Sequence, residues 1–193
     1  MSNVTADISM SLDGFITDPK ASVGTSLEGN DPGRLHAWMF DARTDADAEI
    51  VGERYASTGA VLLGKRMFEV GFEPWGDPPP FGKPVFVLTH QTRDPLPMQG
   101  GTTYHFVNGL EAALEEARAA AGDRDVGIWG GANVIGQYLT AGYVDEMEIH
   151  LVPILLGGGV RMFDDLASES FELRRTRSVE TPGATHLRFR VIA

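Results

Sequence analysis

Short apolar runs recur through the middle of the chain and constrain its fold more than any other feature. They stand at 60–63, 85–88 and 126–129. Each is too short for a helix, is bounded by turn residues and matches a strand buried on both faces, which is typical of parallel sheets. Helical patterns follow the first run and flank the third. The alternation predicts an α/β fold, with a mostly parallel sheet covered by helices on both faces.

Further strands are predicted towards both ends of the chain, at 4–10, 103–107, 146–154, 171–179 and 186–191. The last two have no helix between them and are joined through Pro182–Gly183, so they form an antiparallel pair. Helices are predicted at 32–39, 45–55, 66–70, 110–121 and 133–140. Asn108 is the predicted N-cap and Gly122 the predicted stop of the fourth helix. Residues 18–33 form a predicted surface loop, and with no linker evident, residues 1–193 are read as a single domain.

Composition narrows the possible functions. The chain has 193 residues, no cysteine and a formal net charge of −11. This charge disfavours a nucleic-acid partner, because binding phosphates along a strand requires clustered Lys and Arg. We find no secretory signal and no apolar run long enough for a membrane span, and therefore expect a cytoplasmic protein. The five histidines are scattered without metal-ligand spacing, so no metal site is predicted.

The first candidate binding motif is the junction between the run at 60–63 and the next helix. Gly64 lets a ligand approach the backbone, and the free amides of the helix start, with Lys65 and Arg66, suit phosphate oxygens. Met67 follows in the same turn. The competing interpretation is a tight turn with two solvated cations, which is an equally common use of this pattern.

A second junction follows the strand at 126–129. The paired Gly130 and Gly131 expose amides, and Ala132, Asn133 and Val134 begin a helix whose N-terminus suits a pyrophosphate. This is not the dinucleotide fingerprint of a Rossmann fold, because that motif follows the first strand. The alternative is that the glycines serve close packing of helix on sheet.

A third candidate pair, Thr89–His90, ends the strand at 85–88. A hydroxyl and an imidazole at this edge can contact a phosphate, although such a pair is more often a solvated turn.

Together these motifs resemble the dihydrofolate reductase superfamily, and most of all its riboflavin-biosynthesis reductase (RibD C-terminal type) branch. The resemblance runs from Ala6 to Phe163 and is carried by order and spacing. The matching segments are Ser11 to Ile16, Gly64 to Glu69, Pro84 to His90, Gly130 to Asn133, Gln137 to Leu139, Val144 to Glu146, Pro153 to Gly157, and Met162–Phe163.

The resemblance implies a three-layer fold with a mixed sheet of about eight strands and a bound NADPH. By the family pattern, Gly64 to Met67 lie at the phosphate and adenosine side. Thr89 and His90 lie near the ribose 2′-phosphate, together with Lys65 or Arg66. Gly130 to Val134 hold the pyrophosphate. The loop from Asp13 to Ile16 borders the nicotinamide and the substrate.

The substrate side departs from the family patterns. Trp129 stands where riboflavin reductases usually carry an acid, and the helix around Ala37 lacks the carboxylate that engages folate. Asp13 is the candidate proton donor and a candidate substrate contact, with a turn residue as its alternative. Phe15 and Trp38 are the other candidate substrate contacts, although Trp38 equally fits a core anchor.

Three functions remain open. The first is an NADPH-dependent reductase of a pterin-like, pyrimidine-like or other conjugated heterocycle. The second is the 5-amino-6-(5-phosphoribosylamino)uracil reductase of riboflavin biosynthesis. The third is a non-catalytic NADPH-binding or sensing protein.

A homodimer is also expected, because apolar residues lie near a predicted sheet edge, where exposure favours association. They are Phe171, Leu187, Phe189 and Val191. The alternative is that they pack under helices of their own chain.

Overall fold

The computed structural model describes residues 2–17, 32–40, 43–164, 166 and 170–192. The strands are β1 (Val4–Ser11), β2 (Phe15–Thr17), β3 (Thr58–Gly64), β4 (Pro84–Leu88), β5 (Leu96–Pro97), β6 (Thr103–Val107), β7 (Asp125–Ile128), β8 (Glu146–Val152), β9 (Val160–Arg161), β10 (Glu172–Glu180) and β11 (Thr185–Ile192). The α-helices are α1 (Pro32–His36), α2 (Asp45–Ser57), α3 (Lys65–Trp75), α4 (Leu110–Ala121) and α5 (Ala132–Thr140).

Nine strands form one mixed sheet in the order β10-β11-β8-β1-β7-β3-β4-β6-β5. The six strands from β8 to β6 in this order are parallel to their neighbours, whereas β11, β10 and β5 run antiparallel. β2 and β9 form a separate two-stranded sheet. This confirms the dihydrofolate-reductase-like α/β fold and its antiparallel C-terminal pair. The main sheet has nine strands, one more than the approximate number predicted.

Strand β3 shows why the apolar runs are continuous: all seven of its residues are buried. Leu62 faces one side of the sheet, where it joins the core formed with α4 and α5. Val61 and Leu63 face the other side and pack with Phe68 of α3. Because both faces of the strand are covered, no position on it favours a polar side chain.

Several predicted boundaries were wrong. The helix predicted at 32–39 ends at His36, so Trp38 lies in the turn that follows. Gly109, not Asn108, is the N-cap of α4, because the side-chain oxygen of Asn108 faces His90 instead. Trp129 lies beyond the end of β7.

The predicted stop at Gly122 is confirmed, and so is the turn around Gly183 between the last two strands. The strand predicted at 146–154 ends at Val152. Most of the predicted loop at 18–33 lies outside the described residues. Within the described ranges, no helix is both long and apolar enough to cross a membrane.

Candidate active site

The two glycine junctions meet at the carboxyl edge of the sheet. The amide of Gly64 donates a 3.1 Å hydrogen bond to the carbonyl of Gly130. A β-carbon on Gly64 would lie only 2.9 Å from Cγ2 of Val134 in α5. The contact places the N-termini of α3 and α5 side by side. The two predicted phosphate-binding junctions therefore lie next to each other.

The turn between β7 and α5 needs glycine at one position and offers space at the next. Gly130 has φ +113°, in the region that favours glycine, and its neighbours are Ile8 and Met67, each 3.8 Å from where its β-carbon would lie. A β-carbon on Gly131 would meet no other atom within 4 Å. The first amides of a helix have no partner inside it, so those of Ala132 to Val134 border this open space. An anionic group fits here without displacing protein atoms.

A cavity of about 280 Å³ lies beside the start of α3. Its lining residues come from α3, from β4 and the segment after it, and from β6: Lys65, Phe68, Glu69, Val87, Thr89, Gln91, Thr92, Arg93 and Phe106. The Nζ of Lys65 donates a 2.8 Å hydrogen bond to Gln91 and lies 3.5 Å from the carboxylate of Glu69. Thr89 is buried, and its hydroxyl accepts the amide of Gln91. The cavity combines an apolar floor with cationic and hydroxyl groups at its rim.

Not every predicted phosphate ligand faces this cavity. Lys65 and Thr89 line it, whereas Arg66 and His90 do not. The Nδ1 of His90 lies 3.0 Å from the side-chain oxygen of Asn108, on the outer surface.

Arg93 was missed by the sequence analysis. Its guanidinium lies 3.9 Å from the ring centre of Phe106 and 5.4 Å from that of Phe68, which holds a positive charge over the apolar floor. The only signal for Arg93 was its place three residues beyond the Thr89–His90 pair, at the same edge of the sheet.

Asp13 ties two turns together. Its carboxylate accepts the hydroxyl of Ser11 at 2.6 Å and the amides of Leu156 and Gly157 at 3.1 and 2.7 Å. The Ser11 bond is the largest influence on this carboxyl, and with the two amides it lowers the pKa of Asp13 to about 2. Asp13 is therefore ionised at neutral pH. This geometry favours its turn role and gives no support to a role as proton donor.

Phe15 and Trp38, the other predicted substrate contacts, are both buried. The guanidinium of Arg161 lies 4.5 Å from the ring centre of Phe15. Trp38 packs against two imidazoles, with ring centres 4.4 Å from His150 and 4.8 Å from His186. The core-anchor interpretation of Trp38 thus describes its position. Its Nε1 donates a 3.1 Å hydrogen bond to the hydroxyl of Ser9 on β1.

A chain of buried polar groups continues beneath Trp38. The carboxylate of Asp47 lies 2.8 Å from Nε2 of His186, and Nδ1 of His186 lies 2.7 Å from Nδ1 of His150. Nε2 of His150 lies 3.3 Å from Asp7, which forms an ion pair with Arg54. The sequence analysis missed this chain.

Burial and paired charges dominate the electrostatics of these buried polar groups. Burial opposes ionisation of Asp7, but Arg54 and His150 outweigh it and hold the pKa of Asp7 below its usual range. Burial lowers the pKa of His186, although Asp47 beside it acts in the opposite direction. Elsewhere in the described part of the chain, as here, no group of His, Asp and Glu has the arrangement of a metal site.

The comparison with protein families identifies the family of this chain. The model of the RibD C-terminal domain matches residues 2–187. The chain belongs to the RibD C-terminal domain family. Among curated proteins, the uncharacterized protein YwjB of Bacillus subtilis (strain 168) is 24% identical over 177 residues, which cover 84% of this chain and 83% of YwjB.

Two solved structures illustrate the range of relatives of this RibD C-terminal family member. A protein of Shewanella sp. PV-4, described as a riboflavin biosynthesis protein, is 25% identical, with a TM-score of 0.74 and complete coverage of both chains. The dihydrofolate reductase of Enterococcus faecalis, in complex with NADP(H), is 15% identical with a TM-score of 0.62, covering 98% of this chain and 96% of that one. The latter likeness shows the shared fold.

Proposed function

We propose that this protein is an NADPH-dependent reductase of a small conjugated heterocycle, such as a pterin-like or pyrimidine-like ring. The observation that carries the proposal is the meeting of the two glycine junctions, joined by the bond between Gly64 and Gly130, beside a cavity with cationic side chains. The family supports reductase chemistry, and the dihydrofolate reductase of the same fold binds NADP(H).

The residues present fit a dinucleotide cofactor. The open space at Gly131 and the N-terminal amides of α5 suit the pyrophosphate, and Gly64 to Met67 border it on the other side. Lys65, Thr89 and the newly found Arg93 would hold the ribose 2′-phosphate at the cavity. Bound there, the nicotinamide supplies the hydride. The protein orients the reacting rings and keeps water from them.

The substrate is proposed to lie at the same edge, next to the turn at Asp13. Leu12 and Leu155 expose large apolar side chains there, and the amide of Leu12 is bonded to the carbonyl of Ile154. Such a rim suits a flat, weakly polar ring. Asp13 fixes the rim through its bonds to Leu156 and Gly157 and remains ionised while it does so. Trp38 belongs to the buried apolar cluster against which Ile154 and Leu156 pack, behind the rim.

The riboflavin-pathway reductase is the second candidate, and the family match together with the Shewanella relative favours it. The position before the paired glycines distinguishes the two candidates. Here Trp129 packs against Tyr55 and Phe81, with ring centres 5.1 and 5.9 Å away, so an indole stands in place of the acid usual in that enzyme. We therefore favour a different heterocycle.

A cofactor titration followed by a substrate panel tests the proposal. NADPH should bind and should be oxidised by at least one pterin, pyrimidine or ribosylaminopyrimidine acceptor. Turnover of the ribosylaminopyrimidine alone would establish the second candidate. Binding without turnover of any acceptor would favour a non-catalytic NADPH-binding protein. Absence of NADPH binding would overturn all three candidate functions.

We also infer that residues 1–193 form a single domain. Strand β1 lies in the middle of the same sheet that contains β10 and β11, so both ends of the described chain share one core.

A further inference from the structure

Five charged or titratable side chains from four elements meet in the core between α2 and the sheet. All are at most 8% exposed: Asp7, Asp47, Arg54, His150 and His186. Burying such groups is costly unless each is paired. The proposed binding of cofactor and substrate leaves this cluster without a role, although it lies directly beneath Trp38.

The contacts fix how many protons the two histidines can hold. Asp47 only accepts hydrogen bonds, so Nε2 of His186 carries a proton. The two Nδ1 atoms are 2.7 Å apart, which requires a proton on one of them and excludes a proton on both. The remaining nitrogen, Nε2 of His150, either accepts from Arg54 at 3.4 Å or carries a proton towards Asp7 at 3.3 Å. The pair therefore holds either no positive charge or one.

Charge balance favours one positive charge on the histidine pair. Around the pair, the described side chains include the carboxylates of Asp7 and Asp47 and the guanidinium of Arg54. On the neighbouring strands and on α2, Glu148 and Glu53 are paired with Arg188 and Arg177. Lys83, another buried cation near Arg54, donates to the carbonyls of Tyr55 and Thr58 rather than to a carboxylate. Without an imidazolium the cluster therefore retains one unmatched negative charge in the core. One proton on the histidine pair removes it.

The position of His150 makes it the natural place for this proton. An imidazolium at His150 donates Nε2–H to Asp7 and Nδ1–H to His186, so both of its donors are satisfied. His186 then stays neutral, in keeping with the burial that lowers its pKa. The charge faces the indole of Trp38, whose ring centre is 4.4 Å from that of His150, close enough for a cation–π contact.

We propose that His150 and His186 together carry one positive charge, an imidazolium at His150, which holds Trp38 in place behind the rim of the proposed substrate site. The inference rests on the proposed function for the identity of that site. Trp38 is fixed from two sides, by its bond to Ser9 and by the charged imidazole behind it. His150, His186 and their acidic partners are thus positioning residues, which act on the substrate through Trp38.

The first test measures the protonation state of the two histidines in the unaltered protein. Nitrogen-15 NMR of labelled histidine, with His150→Gln and His186→Gln for assignment, should show one doubly protonated and one neutral imidazole in the pair at neutral pH. The indole N–H signal of Trp38 should shift in both variants, whereas His105→Gln on β6 should leave it unchanged. Two neutral imidazoles at neutral pH, or a Trp38 signal unaffected by either variant, would overturn the proposal.

The second test reads the consequence for catalysis. His150→Gln should raise KM for the acceptor several-fold and alter its dependence on pH, while the Kd for NADPH stays that of the parent protein. His105→Gln should behave like the parent protein. A folded His150→Gln variant with unchanged KM at every pH would refute the positioning role. If no acceptor is reduced at all, the reductase proposal fails on its own, and the NMR result still decides whether the histidine pair carries a positive charge.

Discussion

The amide of Gly64 and the carbonyl of Gly130 are joined by a 3.1 Å hydrogen bond, although the two residues are 66 positions apart in the sequence. The bond ties the end of β3 to the turn after β7, and so fixes the spacing between the N-termini of α3 and α5. Two helix N-termini held side by side present two sets of N-terminal amides to the same space. This arrangement suits a ligand with two adjacent phosphates.

NADPH should bind more tightly than NADH, because Lys65 and Arg93 bring positive charge to the cavity rim. Lys65→Ala should weaken NADPH binding by about 1.5 kcal/mol, the lower end for a charge-assisted bond, since this side chain is half-exposed. The affinity for NADH should change little. Tryptophan fluorescence titration measures both. Arg174→Ala, an exposed arginine on the edge strand β10, is the control, and equal affinities of the parent protein for the two cofactors would refute the claim.

Gly131→Val should abolish cofactor binding without unfolding the protein. Gly131 has φ −90° and ψ −171°, an extended conformation open to valine, and its β-carbon would meet no protein atom within 4 Å. The side chain would therefore fill the space proposed for the pyrophosphate. Circular dichroism checks the fold and fluorescence checks binding.

A matched control for that variant is Gly52→Ala on α2, where a β-carbon also meets open space. It should leave NADPH affinity unchanged and stabilise the helix by about 0.5–1 kcal/mol. Normal NADPH affinity in Gly131→Val would remove the second junction from the binding site.

Asp13→Asn should lower the thermal stability at neutral pH. The pKa of Asp13 is lowered from 3.8 to about 2. Its ionised form therefore stabilises the fold above about pH 4, and this contribution is lost as the pH falls towards 2. The melting temperatures of the parent protein and the variant should therefore converge in that interval. Calorimetry across the acid range measures the difference. A constant difference down to pH 2 would show that the charge of Asp13 contributes nothing.

A homodimer is expected through the sheet face formed by β10 and β11. Phe189, Leu187 and Val191 are only half-buried there. Phe189→Asp should give monomers or insoluble protein, and any soluble monomer should still bind NADPH because the glycine junctions lie elsewhere. Light scattering measures the mass. Arg174→Asp, exposed on β10, should keep the dimer, and a parent protein of monomer mass at micromolar concentration would contradict the prediction.

The sheet and the glycine junctions were predictable because their signals are local. A strand buried on both faces, such as β3, leaves an unbroken apolar run, and a glycine directly after it marks the close approach of the next helix. The cap of α4 was mispredicted because Asn108, which suits an N-cap, makes a bond with His90 instead. A tertiary contact outweighed the local preference.

The histidine pair was beyond sequence reasoning for a different reason. Asp47, His150 and His186 come from three elements, and β8 and β11 bring the two histidines to the same level of the sheet through the pairing of His150 with His186. No short spacing in the sequence encodes this pairing. Arg93 was missed because a lone arginine in a polar turn gives no sign of the aromatic ring beneath it.

The central position of β1 also governs when the fold can form. This strand lies between β7 and β8, and its partners Val126 to Ile128 and Glu146 to Val152 come more than 120 residues later in the chain. During synthesis the first strand therefore stays unpaired until β7 has been made, and it gains its second neighbour only when β8 follows. Such distant pairing slows folding and leaves the edges of β1 open to chaperones or to other nascent chains in the meantime.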